Sequence, residues 1–174
     1  MINNFLTTKI LENFGFEPTT EQSEAINMIG EFLMSRQGME LFLLRGYAGT
    51  GKTTLVGALV KTLVALKQPV VLMAPTGRAA KVFSAYAECP AYTIHKRIYR
   101  QKSLTDDTSF SLSTNLSKHT LFIVDEASMI ANDGLSSTSF GTGRLLDDLI
   151  QYVYSGEGCR LMLMGDTAQL PPVG

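Results

Sequence analysis

The residues with the clearest chemistry stand at positions 46–54, in the run GYAGTGKTT. Gly46, Gly51, Lys52 and Thr53 match the P-loop pattern, in which a strand precedes the run and a helix follows it. Glycines let backbone N–H groups converge on phosphates, the lysine supplies a point charge, and the threonine hydroxyl can ligate Mg²⁺. The predicted phosphate-binding residues are Gly46, Ala48, Gly49, Thr50, Gly51, Lys52, Thr53 and Thr54.

Two adjacent carboxylates, Asp125 and Glu126, follow an apolar run in LFIVDEAS (121–128). Ligands of open α/β sheets bind at the carboxyl ends of the strands, where this pair is expected to lie. Asp125 would hold Mg²⁺ through its water shell, and Glu126 would orient and polarise an attacking water as the base. A solvated strand end is the alternative for two acids alone, but the P-loop upstream favours hydrolysis of ATP.

The elements that must position these residues alternate short apolar runs with helical patterns. Strands are predicted at 39–44, 69–74, 120–126 and 160–165, and helices at 52–67, 77–87 and 144–155. The strand runs are apolar throughout, as in strands covered on both faces. Strands separated by helices imply crossover connections and a parallel sheet. The predicted fold class is therefore α/β, with helices on both faces.

Composition places the chain among ordinary globular proteins. Of its 174 residues, 45% are apolar and 18% charged, which suits one domain with a core. No apolar stretch approaches the ~20 residues that span a bilayer, and the N-terminus lacks a signal-peptide pattern. Cys89 and Cys159 form neither a disulfide framework nor a zinc pattern. A reduced, cytoplasmic setting without a membrane partner is expected.

Charge is distributed unevenly, although the net charge is only −1. Residues 76–102 contain six lysines and arginines against a single acid, Glu88. A solvated face is the simplest interpretation of this stretch when it is taken alone. The polar segment 100–119 is predicted to be an insertion or a hairpin, with a surface loop lacking regular structure as the alternative.

Five strings together resemble one family: GYAGTGKTT, APTGRAAKVF (74–83), TIHK (93–96), DEAS and GDTAQLPPVG (165–174). Their order and spacing are similar to those of superfamily 1 DNA helicases, and the RecD-like (1B) branch resembles them best. The resemblance runs from about Phe16 to Gly174 and covers the first of two RecA-like motor domains. It implies a RecA-like P-loop NTPase domain over residues 1–174, cut after the third helicase motif. Its parallel sheet, sandwiched by helices, can then lack its last strand.

The resemblance also assigns residues outside the P-loop. Gln22, in EPTTEQSEAI (17–26), would contact adenine with its amide, while Thr19 and Gln22 also fit a capping box at a helix start. Gln169 would sense the γ-phosphate, with a polar loop residue as the alternative. The implied catalytic residues are Lys52, Asp125, Glu126 and Gln169. The implied contacts with single-stranded DNA are Thr76, Gly77, Arg78, Lys81, Thr93 and His95, and Phe83 is either a stacking face or a core residue.

The function implied by the resemblance is that of an ATP-dependent DNA helicase moving 5′→3′, with ATP and Mg²⁺ as cofactors. Such a motor needs arginines from a second RecA-like domain, which the sequence up to Gly174 is expected to lack. We therefore expect these residues to bind ATP, to hydrolyse it weakly and to unwind nothing. Two alternatives stay open: a P-loop ATPase that loads or remodels something other than DNA, and a nucleotide-dependent binding module without turnover. The sequence does not specify nuclease or repair partners.

Overall fold

Strands and helices alternate over residues 41–98, as the sequence predicts, and the order strand, helix, strand returns over residues 121–165. The structure is a computed structural model that describes residues 2–15, 17–35, 41–45, 52–101, 110–130 and 144–165. The helices are α1 (Ile2–Phe14), α2 (Thr20–Met34), α3 (Lys52–Ala65), α4 (Gly77–Ala87), α5 (Ile94–Ile98) and α6 (Leu145–Tyr154). The strands are β1 (Leu41–Arg45), β2 (Val70–Ala74), β3 (Ala91–Thr93), β4 (Tyr99–Gln101), β5 (Phe110–Leu112), β6 (Leu121–Val124) and β7 (Arg160–Gly165). Within these described ranges no helix is long and apolar enough to cross a membrane.

Five of the strands form one parallel sheet in the order β1-β7-β6-β2-β3. Arg45 of β1 lies opposite Gly165 of β7, and Val124 of β6 lies opposite both Leu163 of β7 and Met73 of β2. The carboxyl ends of the strands therefore share one edge. This arrangement confirms the predicted α/β class and parallel sheet, and it is the fold expected of a RecA-like P-loop NTPase.

Side chains of the strands alternate between two covered faces of the sheet. Leu121 and Ile123 of β6 pack in a core with α1, α2, α3 and α4, whereas Phe122 and Val124 pack with α5 and α6. All residues of β6 are consequently buried. Burial of each such side chain contributes about 1.5–3 kcal/mol, so a polar residue at any position of this strand would be costly. The uninterrupted apolar runs in the sequence have this origin.

Helices α1 and α2 precede the elements predicted from the sequence, and they cover the outer side of α3. Leu6, Ile10 and Phe14 are buried at a spacing of one helical turn, so they form a single stripe along α1. Asn13 beside this stripe donates a hydrogen bond of 2.9 Å to the Thr62 hydroxyl of α3. The stripe is present in the sequence and is a usable indication of this helix.

Two short elements after α4, the strand β3 and the helix α5, were not predicted, because they lie below the length at which periodicity distinguishes helix from strand. β3 has three residues and α5 has five. β4 and β5 pair antiparallel at the two ends of the polar segment, with Tyr99 opposite Leu112. Residues 102–109 between them lie outside the described residues.

One strand boundary differs from the prediction in a way that matters to chemistry. β6 ends at Val124, so Asp125 and Glu126 lie just beyond the strand and not within it. The Asp125 N–H still donates to the Met73 carbonyl of β2 at 3.0 Å. The first carboxylate is therefore anchored to the sheet by its own backbone.

Candidate nucleotide site and basic groove

The first turn of α3 carries the lysine and hydroxyls of the phosphate-binding run. Lys52 begins the helix, and Thr53 and Thr54 follow it. Thr53 is exposed, and the other two are half-buried. The first N–H groups of a helix lack partners within it and carry the positive end of its dipole, so this turn can receive an anion. The remaining predicted phosphate-binding residues, Gly46, Ala48, Gly49, Thr50 and Gly51, lie outside the described residues.

The carboxylate pair lies at the carboxyl edge of the same parallel sheet, just after β6. One strand, β7, separates β6 from β1. Two strand spacings place β1 and β6 about 10 Å apart. Gln169 and its neighbour Asp166 follow the intervening strand β7 and lie outside the described residues.

The Asp125 carboxylate is held by a hydrogen-bond donor at each oxygen. The Tyr86 hydroxyl of α4 donates to Oδ2 at 2.7 Å. The backbone N–H of Glu126 donates to Oδ1 at 2.8 Å. Each oxygen keeps a further acceptor position, so the carboxylate can still accept bonds from the water shell of a cation.

Tyr86 is a site residue that was not predicted from the sequence. Burial, followed by the nearby Asp125 charge and the hydrogen bond to it, raises the pKa of the Tyr86 hydroxyl far above its ordinary value. The hydroxyl therefore stays protonated and acts as a donor at every physiological pH. Its ring stacks on Phe83, with ring centroids 5.2 Å apart. No motif contains Tyr86, and only the three-dimensional packing of α4 against β2, the neighbour of β6 in the sheet, brings it to Asp125.

Glu126 adopts a left-handed backbone conformation, with φ of 55° and ψ of 39°. Residues other than glycine are strained there by about 1–3 kcal/mol, and such strain is concentrated at functional sites. Glu126 is exposed, and the 3₁₀ helix Ala127–Met129 follows it directly. The chain thus turns sharply at the residue predicted to act as the base.

The side chains around this site suit Mg²⁺ held mainly by phosphates and water. Asp125 and the Thr53 hydroxyl offer oxygen, the donor that Mg²⁺ prefers. Among the residues that the structure describes, no group of three or more histidine, cysteine, aspartate or glutamate side chains could form a metal site. Few protein ligands are expected for Mg²⁺ at a nucleotide, because it keeps several waters and binds the substrate phosphates. When bound, the ion would neutralise phosphate charge.

Gln22 forms the capping box that was the alternative to an adenine contact. Its Oε1 accepts a hydrogen bond from the Thr19 N–H at 2.9 Å, and its own N–H donates to the Thr19 hydroxyl at 3.1 Å. Both bonds close the N-terminus of α2. The capping role is confirmed, and the contact with adenine stays a prediction.

Four of the six predicted DNA-contact residues, Gly77, Arg78, Lys81 and Thr93, line a shallow groove of about 580 Å³ between α4, β3 and α5. We call it the basic groove. Within the part of the chain that the structure describes, three cationic side chains line it and no carboxylate does. Thr76 and Thr93 are the N-caps of α4 and α5, with hydroxyls that accept from Ala79 N–H at 3.1 Å and Lys96 N–H at 3.2 Å. The residues lining the groove are Gly77, Arg78, Ala80, Lys81, Ser84, Ala91, Tyr92, Thr93 and Lys96.

Aromatic residues near the groove differ in accessibility. Phe83 is fully buried, so it is a core residue and offers no stacking face. Tyr92 is 39% exposed on the groove, and the Arg97 guanidinium lies 5.6 Å from its ring centroid. His95 does not line the groove; it is half-buried and burial lowers its pKa. Tyr92 was not predicted from the sequence as a groove residue, although it stands directly before Thr93 in the chain.

Several known proteins are similar to this chain over part of their length, and three of them show the range. The chain is 28% identical over 179 residues to an uncharacterized protein of Acanthamoeba polyphaga mimivirus, covering 89% of this chain and 33% of that protein. It is 32% identical over 142 residues to the ATP-dependent RecD2 DNA helicase of Deinococcus radiodurans, covering 78% of this chain and 17% of the helicase. It is 30% identical over 167 residues to an uncharacterized protein of Methanocaldococcus jannaschii, covering 88% and 13% respectively. The chain thus spans a third or less of the length of these curated relatives.

Fold and site together define a P-loop NTPase domain, with the P-loop lysine at a helix start and two carboxylates after a strand at one edge of a parallel sheet. The sequence pattern of the AAA domain family matches residues 18–174, so the chain belongs to that family. Its similarity to the RecD2 enzyme makes it a helicase-like P-loop domain.

Proposed function

We propose that this domain binds Mg²⁺ and ATP, hydrolyses the ATP, and uses the energy to move on single-stranded DNA as the motor domain of an ATP-dependent helicase. One observation carries the proposal: the start of α3, Asp125 and the basic groove lie along the same edge of one sheet. The start of α3 follows β1 along the chain, Asp125 follows β6, and the groove follows β2 and β3. Helix α4 borders both, with Tyr86 at the first and Arg78 at the second.

In the proposed reaction each residue of the nucleotide site has one role. Lys52 neutralises the β- and γ-phosphates, and Thr53 and Asp125 hold the hydrated Mg²⁺. Glu126 orients the attacking water and accepts its proton. Gln169 senses the γ-phosphate, and Gln22 contacts adenine. An exposed carboxylate on a sharply turned backbone supports the assignment of Glu126 as the base.

The chemistry of the basic groove favours a single strand of nucleic acid. Arg78, Lys81 and Lys96 supply positive charge for phosphates. Tyr92 offers a base an accessible ring, and such stacking contributes about 1–3 kcal/mol per base. Similarity to a protein named as a DNA helicase supports DNA, and not RNA, as the proposed nucleic acid. The resemblance to the RecD-like branch supports movement in the 5′→3′ direction.

A second RecA-like domain is the proposed partner at the nucleotide. Arginines supplied by such a partner accelerate phosphoryl transfer by about 10³–10⁵. Residues 1–174 by themselves are therefore proposed to bind ATP and DNA more readily than they turn ATP over.

The test measures the affinity of a fluorescent ATP analogue with Mg²⁺ and that of a labelled oligothymidylate on the same protein. The groove variant is Arg78→Glu with Lys81→Glu. The control, Lys61→Glu with Lys118→Glu, makes the same charge change at exposed positions outside the groove. We expect the groove variant to weaken oligonucleotide binding and to make its salt dependence shallower by about 1.4 in the log–log slope. Nucleotide binding should be retained.

Two results would separate the alternatives. An ATPase acting on something other than DNA would bind the nucleotide and show equal oligonucleotide affinity for groove and control variants. A binding module without turnover would bind both ligands, yet would release no phosphate in a single-turnover assay calibrated against Lys52→Ala.

A further inference from the structure

Three elements of the domain meet at Tyr86, and each contributes a different part of the proposed reaction. The Tyr86 hydroxyl, on α4, donates to Asp125 at the end of β6. The Tyr86 carbonyl oxygen lies close to α3, where a Cβ added at Gly57 would be 3.4 Å away. The phosphate-binding helix, the carboxylate and the helix that borders the basic groove therefore converge at one residue.

The orientation of Asp125 depends on this contact. With Oδ2 bound by the Tyr86 hydroxyl and Oδ1 bound by the Glu126 N–H, the carboxylate cannot rotate without breaking a charge-assisted hydrogen bond. The Glu126 donor belongs to the adjoining backbone. The hydrogen bond from Tyr86 thus connects the carboxylate to α4.

Helix α4 links this carboxylate to the basic groove. Gly77 and Arg78 stand in its first turn at the groove, and Tyr86 lies about 14 Å further along the helix axis. After Gly77 the helix contains neither glycine nor proline, the residues at which helices usually kink. Ala80 and Phe83 anchor it to the sheet between the two ends. The groove end and the Tyr86 end therefore belong to one stiff element.

We propose that Tyr86 is a positioning residue that fixes Asp125 for the hydrated cation, so that α4 determines the affinity of the nucleotide site for Mg²⁺. The inference rests on the proposed function, because it assigns Asp125 to the cation. Tyr86 lies outside every motif string of the helicase resemblance. Partners in the outer shell of a metal site orient the ligands and influence affinity in this way.

The test is a Mg²⁺ titration of the binding of a fluorescent, non-hydrolysable ATP analogue. Tyr86→Phe removes the hydroxyl and nothing else. We expect the Mg²⁺ concentration at half-saturation to rise by about tenfold or more, because outer-shell substitutions commonly weaken metal affinity by that amount. A melting curve checks folding, and Tyr86→Met, a flexible side chain without a hydroxyl, replaces the first variant if that one does not fold.

A matched control exists in the same domain. Tyr99→Phe removes the same hydroxyl from a Tyr–Asp hydrogen bond of 2.6 Å on the other face of the sheet. It should lower the melting temperature while leaving the Mg²⁺ titration within about twofold of wild type, since distant sites act independently. In an Asp125→Asn background, Tyr86→Phe should have little further effect on the titration, because its partner carboxylate is gone.

The outcomes separate the inference from the proposed function. Nucleotide binding that depends on Mg²⁺ in wild type, but is unchanged by Tyr86→Phe, overturns the positioning role alone. That role is also overturned if Tyr99→Phe shifts the Mg²⁺ titration equally. An undiminished shift by Tyr86→Phe in the Asp125→Asn background would overturn it as well. Wild-type protein that binds no nucleotide at any Mg²⁺ concentration overturns both.

Discussion

Two tyrosine–aspartate hydrogen bonds of nearly equal length lie on opposite faces of the sheet. Tyr86 donates to Asp125 at 2.7 Å, and Tyr99 donates to Asp148 at 2.6 Å. Burial is the main cause that raises the hydroxyl pKa in both. The two carboxylates differ in accessibility: Asp148 is only 1% exposed in the first turn of α6, whereas Asp125 is half-buried at the end of a strand.

The difference indicates that the surroundings of each aspartate, and not its hydrogen bond to a tyrosine, determine its role. Asp148 has the positive end of the α6 dipole beneath it and is shielded from solvent, so its role is to support the packing of α6. Asp125 has the same kind of partner but remains open at the edge where the nucleotide is proposed to bind. We infer that one pair stabilises the fold and the other prepares a ligand for a cation.

The largest effect is expected on ATP hydrolysis, at the exposed carboxylate next to Asp125. Glu126→Gln keeps the shape of the side chain but removes the base, so we expect hydrolysis to fall by about 10²–10⁴-fold. Nucleotide affinity and melting temperature should be preserved, because Glu126 is exposed. Phosphate release is the measurement, with Asp147→Asn at an exposed position of α6 as the control. Equal hydrolysis by wild type and Glu126→Gln would remove Glu126 from the role of base.

A smaller effect is expected on stability, where the two aspartates of the hydrogen-bonded pairs should differ. Asp148→Ala removes the acceptor of the Tyr99 hydroxyl inside the core, so we expect a loss of about 1–3 kcal/mol in the free energy of unfolding. Asp125→Ala should cost less, because Asp125 is only half-buried and water can replace the acceptor that the Tyr86 hydroxyl loses. Urea unfolding monitored by circular dichroism gives both values. Equal destabilisation by the two substitutions would contradict the different roles that we assign to Asp148 and Asp125.

The smallest effect is a pH dependence at His95, which belongs to neither hydrogen-bonded pair. Burial lowers its pKa, so below about pH 6.5 the unfolded chain takes up a proton that the folded domain resists. Stability is therefore expected to fall as the pH drops below this value and to be full above it. Unfolding free energies of wild type and His95→Gln between about pH 7.5 and pH 5.5 test this. A variant with an equally steep decline would assign it to other groups.

Much of the fold could be predicted because strands covered on both faces leave uninterrupted apolar runs, as β6 and β7 do. The P-loop and the Asp125–Glu126 pair could also be recognised, since their chemistry lies in consecutive residues. Tyr86 could not, because its contact with Asp125 joins residues 39 positions apart. β3 and α5 escaped prediction because elements of three and five residues have no measurable periodicity.

The most direct test of the central claim is thermodynamic coupling between the two ligands on wild-type protein. The affinity of the ATP analogue with Mg²⁺ is measured with and without saturating oligothymidylate, and the oligonucleotide affinity with and without the analogue. We predict that each ligand changes the affinity of the other by the same factor, about fivefold or more, as linkage requires. The account is contradicted if both ligands bind with affinities that are independent of each other, or if the oligonucleotide does not bind.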